Sequence, residues 1–219
     1  MKIKQNLNNI KSQLPAHVTL VAVSKTKPVA DLMEAYDAGQ RIFGENKIQE
    51  MTDKWEVMPK DIEWHMIGHV QTNKVKYMAP YVSLIHGVDS LKLLQEINKQ
   101  AAKNNRVIDC LLQVYIAEEE SKFGLDEKEL EEVLKLVQND KENYKNTRIV
   151  GLMGMATFTE NKNQIEKEFK HLKTIFDKFT IHNSQFTILS MGMSGDYQLA
   201  ISCGSTMVRI GSSIFGGRN

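Results

Sequence analysis

The sequence predicts a single (β/α)8 barrel preceded by one extra helix, with residues 1–219 forming one domain. Three observations point there. Apolar runs of strand length alternate with helical stretches until eight strands are counted. A chain of 219 residues falls within the about 200–250 residues such a barrel needs, and leaves no length for a second domain. The rival architecture, an open doubly wound sheet, predicts a Gly-x-Gly-x-x-Gly turn after its first strand. Ser24-Lys25-Thr26-Lys27-Pro28 stands there instead.

Each element has its own warrant. Ile3, Leu7, Ile10 and Leu14 fall at helical spacing, and Pro15 ends that first helix. Thr19 to Val23 is a short buried strand. Asp31 to Ala38 reads as a helix closed by Gly39, Arg41 to Phe43 as the second strand, and helix-forming residues follow as far as Trp55. Glu63 to Ile67 is the third strand, Asn73 to Met78 a short helix, Val82 to His86 the fourth strand and Ser90 to Lys103 a helix. Val107 to Tyr115 is the fifth strand. Asp126 opens the next helix, which runs to Val137, with Glu129 at the third following position that a capping box uses. Lys141 to Thr147 is polar and reads as a surface loop. Arg148 to Leu152, Phe186 to Leu189 and Met207 to Ile210 are the last three strands, separated by helices over Gln164–Lys178 and Tyr197–Ser202.

Composition removes several function classes. Net charge is +1, and no basic run carries interleaved aromatics, which argues against a nucleic-acid surface. No stretch approaches the ~20 apolar residues of a membrane span. The first ten residues lack the apolar core of a signal peptide, so a cytoplasmic protein is expected. Cys110 and Cys203 lie in apolar surroundings without metal spacing and read as reduced thiols.

In a barrel of this kind the chemistry lies at the carboxyl ends of the strands, and phosphate groups are held by the loops after strands seven and eight. Lys25 ends the first strand, where partial desolvation would free an amine to attack a carbonyl. Ser190-Met191-Gly192-Met193-Ser194-Gly195-Asp196 follows the seventh strand and Gly211-Ser212-Ser213 the eighth. Glycine lets backbone approach an anion, and serine adds a hydroxyl donor. Because the eighth strand neighbours the first, both loops fall beside Lys25. An amine near an anion cup suits a phosphorylated aldehyde, either pyridoxal phosphate or a sugar phosphate. Arg209, between Val208 and Ile210, faces either the lumen or the helix layer, and a structural ion pair with Asp89 or Glu45 is the competing role. If it faces a pyridine nitrogen, the always-protonated guanidinium leaves that nitrogen unprotonated and the ring a weak electron sink.

Other candidates weigh less. Lys27 is turned aside by Pro28, while Lys47, Lys74 and Lys122 read as solvated charges. His65 and His69 are four apart, but Gly68 between them and the lack of a His-Glu-x-x-His helix argue against a metal. Trp64, Met66, Met153 and Met155 read as core, and Glu118-Glu119-Glu120 as a solvated loop.

A set of motifs carries a resemblance across nearly the whole chain. They are Ala22-Val23-Ser24-Lys25-Thr26-Lys27-Pro28, Phe43-Gly44-Glu45-Asn46 with Gln49-Glu50, and Trp64-His65-Met66-Ile67-Gly68 with Gln71-Thr72-Asn73-Lys74. Ser121-Lys122-Phe123-Gly124, Gly151-Leu152-Met153 and Ser190 to Ser194 with Asp196 continue the pattern. Gly204-Ser205-Thr206-Met207-Val208-Arg209-Ile210-Gly211, with Ile214-Phe215-Gly216 and Arg218, closes it. Together they resemble the pyridoxal phosphate homeostasis proteins, the YggS/PROSC family.

The resemblance implies a fold-type III barrel, like the N-terminal domain of alanine racemase, that holds pyridoxal 5'-phosphate as a Schiff base. It implies Lys25 as the Schiff-base lysine and Arg209 as the arginine facing the pyridine nitrogen. Ser194, Gly211 and Ser212 would hold the phosphate, and Asn46 would line the ring; His65 lies in the lumen-side motif. Ser212 stands where many relatives carry threonine, and Tyr115 replaces a more usual asparagine. The expected function is cofactor homeostasis without strong turnover, in a monomer that hands pyridoxal phosphate to apoenzymes. The alternative is a fold-type III enzyme such as an amino-acid racemase, which needs an acid/base on each face of the substrate carbon. A Schiff-base aldolase would leave Arg209 unexplained.

Overall fold

A computed structural model describes residues 2–118, 123–181 and 184–217. Eight parallel strands close into a barrel in sequence order: β1 (Thr19–Val23), β2 (Ile42–Glu45), β3 (Glu63–Met66), β4 (Leu84–Val88), β5 (Ile108–Gln113), β6 (Thr147–Met153), β7 (Ile188–Met193) and β8 (Met207–Ile210). The seam is β1 against β8, with Thr19 opposite Met207 and Ala22 opposite Ile210. An amino-terminal helix, α1 (Lys2–Gln13), precedes the barrel. The returns are α2 (Val29–Asp37), α3 (Ile48–Val57), α4 (Val75–Met78), α5 (Leu91–Lys103), α6 (Glu127–Asn139), α7 (Lys162–Thr180) and α8 (Tyr197–Ser202), and the short α9 (Ser212–Phe215) follows β8. Among the described residues no helix is long and apolar enough to cross a membrane.

Two apolar clusters hold these layers. The larger lies between strands and helices and includes Leu20, Ala22, Phe43, Trp64, Ile85, Leu112, Phe169, Leu189 and Val208. The smaller plugs the lumen with Val21, Leu84, Leu111, Val150, Met153 and Met207. Each fully buried valine, leucine, isoleucine, methionine or phenylalanine among them stabilises the fold by about 1.5–3 kcal/mol over its exposed form. Side chains alternate across a regular strand, so cluster membership shows which way neighbours point, except across irregularities such as that in β6, where Val150 and Met153 both join the lumen plug. The expected capping box forms: Glu129 N–H donates to Asp126 Oδ1 at 2.8 Å, and Asp126 N–H to Glu129 Oε2 at 2.9 Å.

The element order agrees with the sequence, and some bounds shift. The fourth strand runs Leu84–Val88 rather than from Val82, and the seventh Ile188–Met193 rather than ending at Leu189. The second strand continues through Gly44 and Glu45. In each case the strand carries polar or small residues at its carboxyl end, where an apolar-run criterion stops too early. Phe186 leaves the strand and stacks on Phe176 of α7, with ring centroids 5.5 Å apart. The second helix begins at Val29, directly after Pro28, whose fixed φ suits a helix start.

Candidate functional site

Strand parity sorts the candidates. Arg209 lies two residues beyond Met207 of the lumen plug and is the Cα partner of Val21, another plug residue, so it points into the lumen. His65 pairs in register with Leu84, His86 lies two beyond Leu84, and Ser190 pairs with Met207, so all three share that face. Ser24 and Glu45 have the opposite parity and face the helix layer. Lys25 follows Ser24 at the mouth of β1 and is half-buried.

Arg209 is 4% exposed; it donates to Ser190 Oγ at 2.6 Å and to the Gly154 carbonyl at 3.2 Å. The two ion pairs weighed for it go elsewhere. Glu45 bonds Lys54 at 2.7 Å, and Asp89 bonds His69 at 3.0 Å. Burial lowers the Arg209 guanidinium to about 10, with Asp196 pulling upward, so it remains protonated at neutral pH.

A hydrogen-bonded chain continues from it. His86 Nδ1 lies 3.0 Å from Ser190 Oγ, and His86 Nε2 lies 3.0 Å from His65 Nδ1. Both imidazoles are buried, at 0% and 3% exposure for His86 and His65. Burial lowers His65 to about 3 and holds His86 well below the usual imidazole range, with the His65 and Arg209 charges adding to the second shift. Both rings are therefore neutral near pH 7. The directions are consistent along the chain if Arg209 donates to Ser190, Ser190 to His86 Nδ1, and His86 Nε2–H to His65 Nδ1.

At the barrel mouth, Ser194 Oγ accepts from the N–H groups of Gly211 at 3.2 Å and Ser213 at 3.5 Å. That brings the loops after β7 and β8 together beside β1. A Cβ on Gly211 would sit 3.0 Å from the Val23 carbonyl and 3.2 Å from Val23 Cβ, pressing on the strand that carries Lys25. Ser212 opens α9 and is exposed. Met193 N–H donates to Asp196 Oδ1 at 2.5 Å, closing the loop between β7 and α8. Asn46 follows β2 and is half-buried. A Cβ on Gly68 would come 2.4 Å from the Asn46 carbonyl oxygen, so only glycine lets the end of β3 pass that close.

The lesser candidates separate. Lys27 turns away and donates to the Gly217 carbonyl at 2.8 Å, and Lys47 and Lys74 are exposed. His69 lies outside the lumen, stacked on Phe123 with centroids 4.4 Å apart. Trp64 and Met66 belong to the outer core, while Met153 belongs to the lumen plug, with Met155 packed against it. Lys122, with Ser121, Glu119, Glu120 and Arg218, lies outside the described residues. Sequence reasoning missed His86 and Ser190 as partners of Arg209, and Lys54 as the partner of Glu45. Parity was the usable signal for the first two: both are polar and sit two residues from apolar lumen positions.

Closure of β8 on β1, with an amine at one strand end and an arginine inside the other, defines the class: this is a barrel of the alanine racemase N-terminal kind. The family model for the alanine racemase N-terminal domain matches residues 1–219. Within that class, the chain belongs to the pyridoxal phosphate homeostasis protein family. The pyridoxal phosphate homeostasis protein of Haemophilus influenzae is 37% identical, aligned over 100% of this chain and 97% of that protein. That of Aquifex aeolicus is 39% identical over 91% of this chain and 86% of its own. Among solved structures, PipY of Synechococcus elongatus without pyridoxal phosphate superposes with a TM-score of 0.90 at 35% identity, covering 98% of this chain and 100% of that one. The same protein with pyridoxal phosphate bound gives 0.86 at 33% identity over the same shares. Alanine racemase of E. faecalis, at 16% identity and a TM-score of 0.76, covers 99% of this chain and 58% of that one, and shares the fold.

Proposed function

We propose that this chain binds pyridoxal 5'-phosphate through Lys25 and serves its homeostasis in the cell, with little turnover of its own. The observation that carries this reading is Arg209, a buried cation in the lumen that donates to Ser190 and Gly154. Bound pyridoxal phosphate supplies an aldehyde that condenses with a primary amine, and a ring that draws electrons strongly when its nitrogen is protonated. A guanidinium donates and cannot accept, so Arg209 keeps a facing pyridine nitrogen unprotonated. That favours holding the cofactor over stabilising a carbanion on it.

The other residues fit the same ligand. The Lys25 amine stands at the mouth of β1; the hydroxyls of Ser194 and Ser212 offer donors for a phosphate, Gly211 lets the backbone approach it closely, and Asn46 stands at the neighbouring strand end for the ring. The relatives named for pyridoxal phosphate homeostasis, and PipY solved with pyridoxal phosphate, support the cofactor. Racemisation would need a proton donor and acceptor on opposite faces of a substrate carbon. The lumen imidazoles suit that poorly, since they bond each other and His65 is lowered to about 3. We read residues 1–219 as one functional unit, a cytoplasmic monomer that hands the cofactor to apoenzymes.

The test is reduction of the pyridoxal-phosphate-treated protein with borohydride, followed by peptide mass mapping. The label is expected on Lys25, and absence of any label there after saturation sinks the reading. Racemisation of free alanine at ordinary enzymatic rates, lost in Lys25→Ala, would overturn the homeostasis role in favour of an enzyme.

A further inference from the structure

Behind Lys25, on the helix side of the barrel wall, lies a second polar cluster that the cofactor reading leaves unused. Lys54 of α3 is 5% exposed, and its ammonium donates to the Ser24 carbonyl at 2.8 Å, to Glu45 Oε1 at 2.7 Å and to Glu50 Oε1 at 2.7 Å. An ammonium has three donors, and all three are used. Ser24 Oγ adds a bond to Glu45 Oε1 at 2.6 Å. Glu50 Oε1 accepts from the Thr26 N–H, also at 2.6 Å.

These bonds fall on the residues either side of Lys25. Ser24 to Lys27 is a turn, closed by Lys27 N–H to the Ser24 carbonyl at 3.1 Å, with Lys25 and Thr26 at its centre. Thr26 has φ of 63°, in the left-handed region where a β-branched residue is seldom found. Such a conformation costs about 1–3 kcal/mol and persists only where its surroundings over-determine it. Here the over-determination is visible: Lys54 and Glu45 hold the residue before Lys25, and Glu50 holds the residue after it. The cluster also retains a cost. Glu45 is fully buried, and its Oε2 has no hydrogen-bond partner, an arrangement that stability alone disfavours.

The geometry points to Glu45, Glu50 and Lys54 as positioning residues that lock the Ser24–Lys27 turn so that the Lys25 amine is aimed into the barrel mouth. None of the three touches the lumen. They act through the backbone of Ser24 and Thr26, and a misplacement of about 1 Å at a reacting amine lowers its rate up to 100-fold. This inference rests on the assignment of Lys25 as the cofactor amine.

The test uses the full chain. First, ligand-free protein is trace-labelled with acetic anhydride, and the acetylation of Lys25 is measured relative to exposed Lys47 in the same sample. Second, pyridoxal phosphate is added at increasing concentration and trapped with borohydride after short intervals. This separates the trapping rate at saturation from the half-saturating concentration. Glu50→Ala is the first variant, because Glu50 is partly exposed and the protein should fold without it; Lys54→Met is the second. In both, the Lys25 to Lys47 ratio is expected to change at least about threefold, and the trapping rate at saturation to fall about tenfold or more. Half-saturation is expected to move by less than about threefold, since the loops at Ser194 and Gly211 are untouched. Glu50→Gln keeps an acceptor for Thr26 N–H and should restore most of the rate. If the wild type is labelled on Lys25 and Glu50→Ala matches it in ratio and rate, the positioning role is overturned. Failure of Glu50→Gln to restore a lost rate overturns it as well. If the wild type carries no label on Lys25, the cofactor assignment itself has failed, a distinct result.

Discussion

Two buried polar networks stand on opposite sides of the same barrel wall and solve burial in different ways. In the lumen, Arg209, Ser190, His86 and His65 form a chain with a single charge at one end, and neutral hydrogen bonds connect the rest. Behind β1 and β2, Lys54, Glu45 and Glu50 form an ionic cluster in which an ammonium is surrounded by acceptors. Desolvation penalises charge in both places. The lumen avoids the penalty by keeping its imidazoles neutral. The wall cluster offsets it by pairing, incompletely, since Glu45 Oε2 is left over. The difference suits the two positions: a neutral chain can hold one cation facing a ligand, whereas an ionic clamp fixes backbone.

The contrast predicts unequal responses to mutation. Lys54→Met leaves the Glu45 carboxylate buried without its cation and should destabilise by about 3–5 kcal/mol. For a chain of this size that lowers the thermal midpoint by about 10 °C. The double variant Glu45→Leu/Lys54→Met should recover much of that loss, and a double no more stable than the single would break the ionic account. Arg209→Met removes the buried lumen cation together with its need for partners, so a smaller loss of about 1–3 kcal/mol is expected in denaturant titration. Arg209→Glu should change the visible spectrum of the protein loaded with pyridoxal phosphate, because a carboxylate favours a protonated pyridine nitrogen where a guanidinium does not.

The two networks also titrate in opposite senses. Unfolded histidine binds its proton near 6.5, while His65 in the fold does so only near 3. Between those values the unfolded chain binds more protons, so stability is complete above the upper value and is lost as pH falls toward the lower. His86 is depressed in the same direction and adds to the slope. Each imidazole contributes up to ~1.4 kcal/mol per pH unit. Urea midpoints measured from pH 7 down to 4 should therefore fall, and His65→Gln should flatten the decline. Burial pushes the Glu45 carboxyl upward from 4.5, against the pull of Lys54. Above 4.5 the folded state is then the one that binds more protons at this group, so its contribution to stability declines as pH rises. Removing it in Glu45→Gln should make the rise of stability with pH just above 4.5 steeper, the smallest effect of the set.

Much of the candidate site was legible in the sequence. Lys25, Ser194, Gly211 and Ser212 were singled out as candidates because polar or glycine residues follow apolar runs where a barrel puts its strand ends, and Arg209 because it interrupts the eighth strand. The buried polar strand positions were harder. His86 and Ser190 looked like strand ends, because an apolar run stops at the first polar residue whether the strand stops or only turns that residue inward. Lys54 gave no signal at all, since a lysine on an amphipathic helix is normally solvated.

By itself, then, the sequence determined the alternation of strands and helices, the barrel they count to, and which residues reach its mouth, because hydrophobic periodicity and turn chemistry are local. Only the tertiary structure decided which face Arg209 takes, that two histidines and a serine lead to it, and that Lys54 and two glutamates hold the turn around Lys25. Those contacts join residues distant in sequence, and they exist only once closure of β8 on β1 and the packing of α3 against β2 have brought them together.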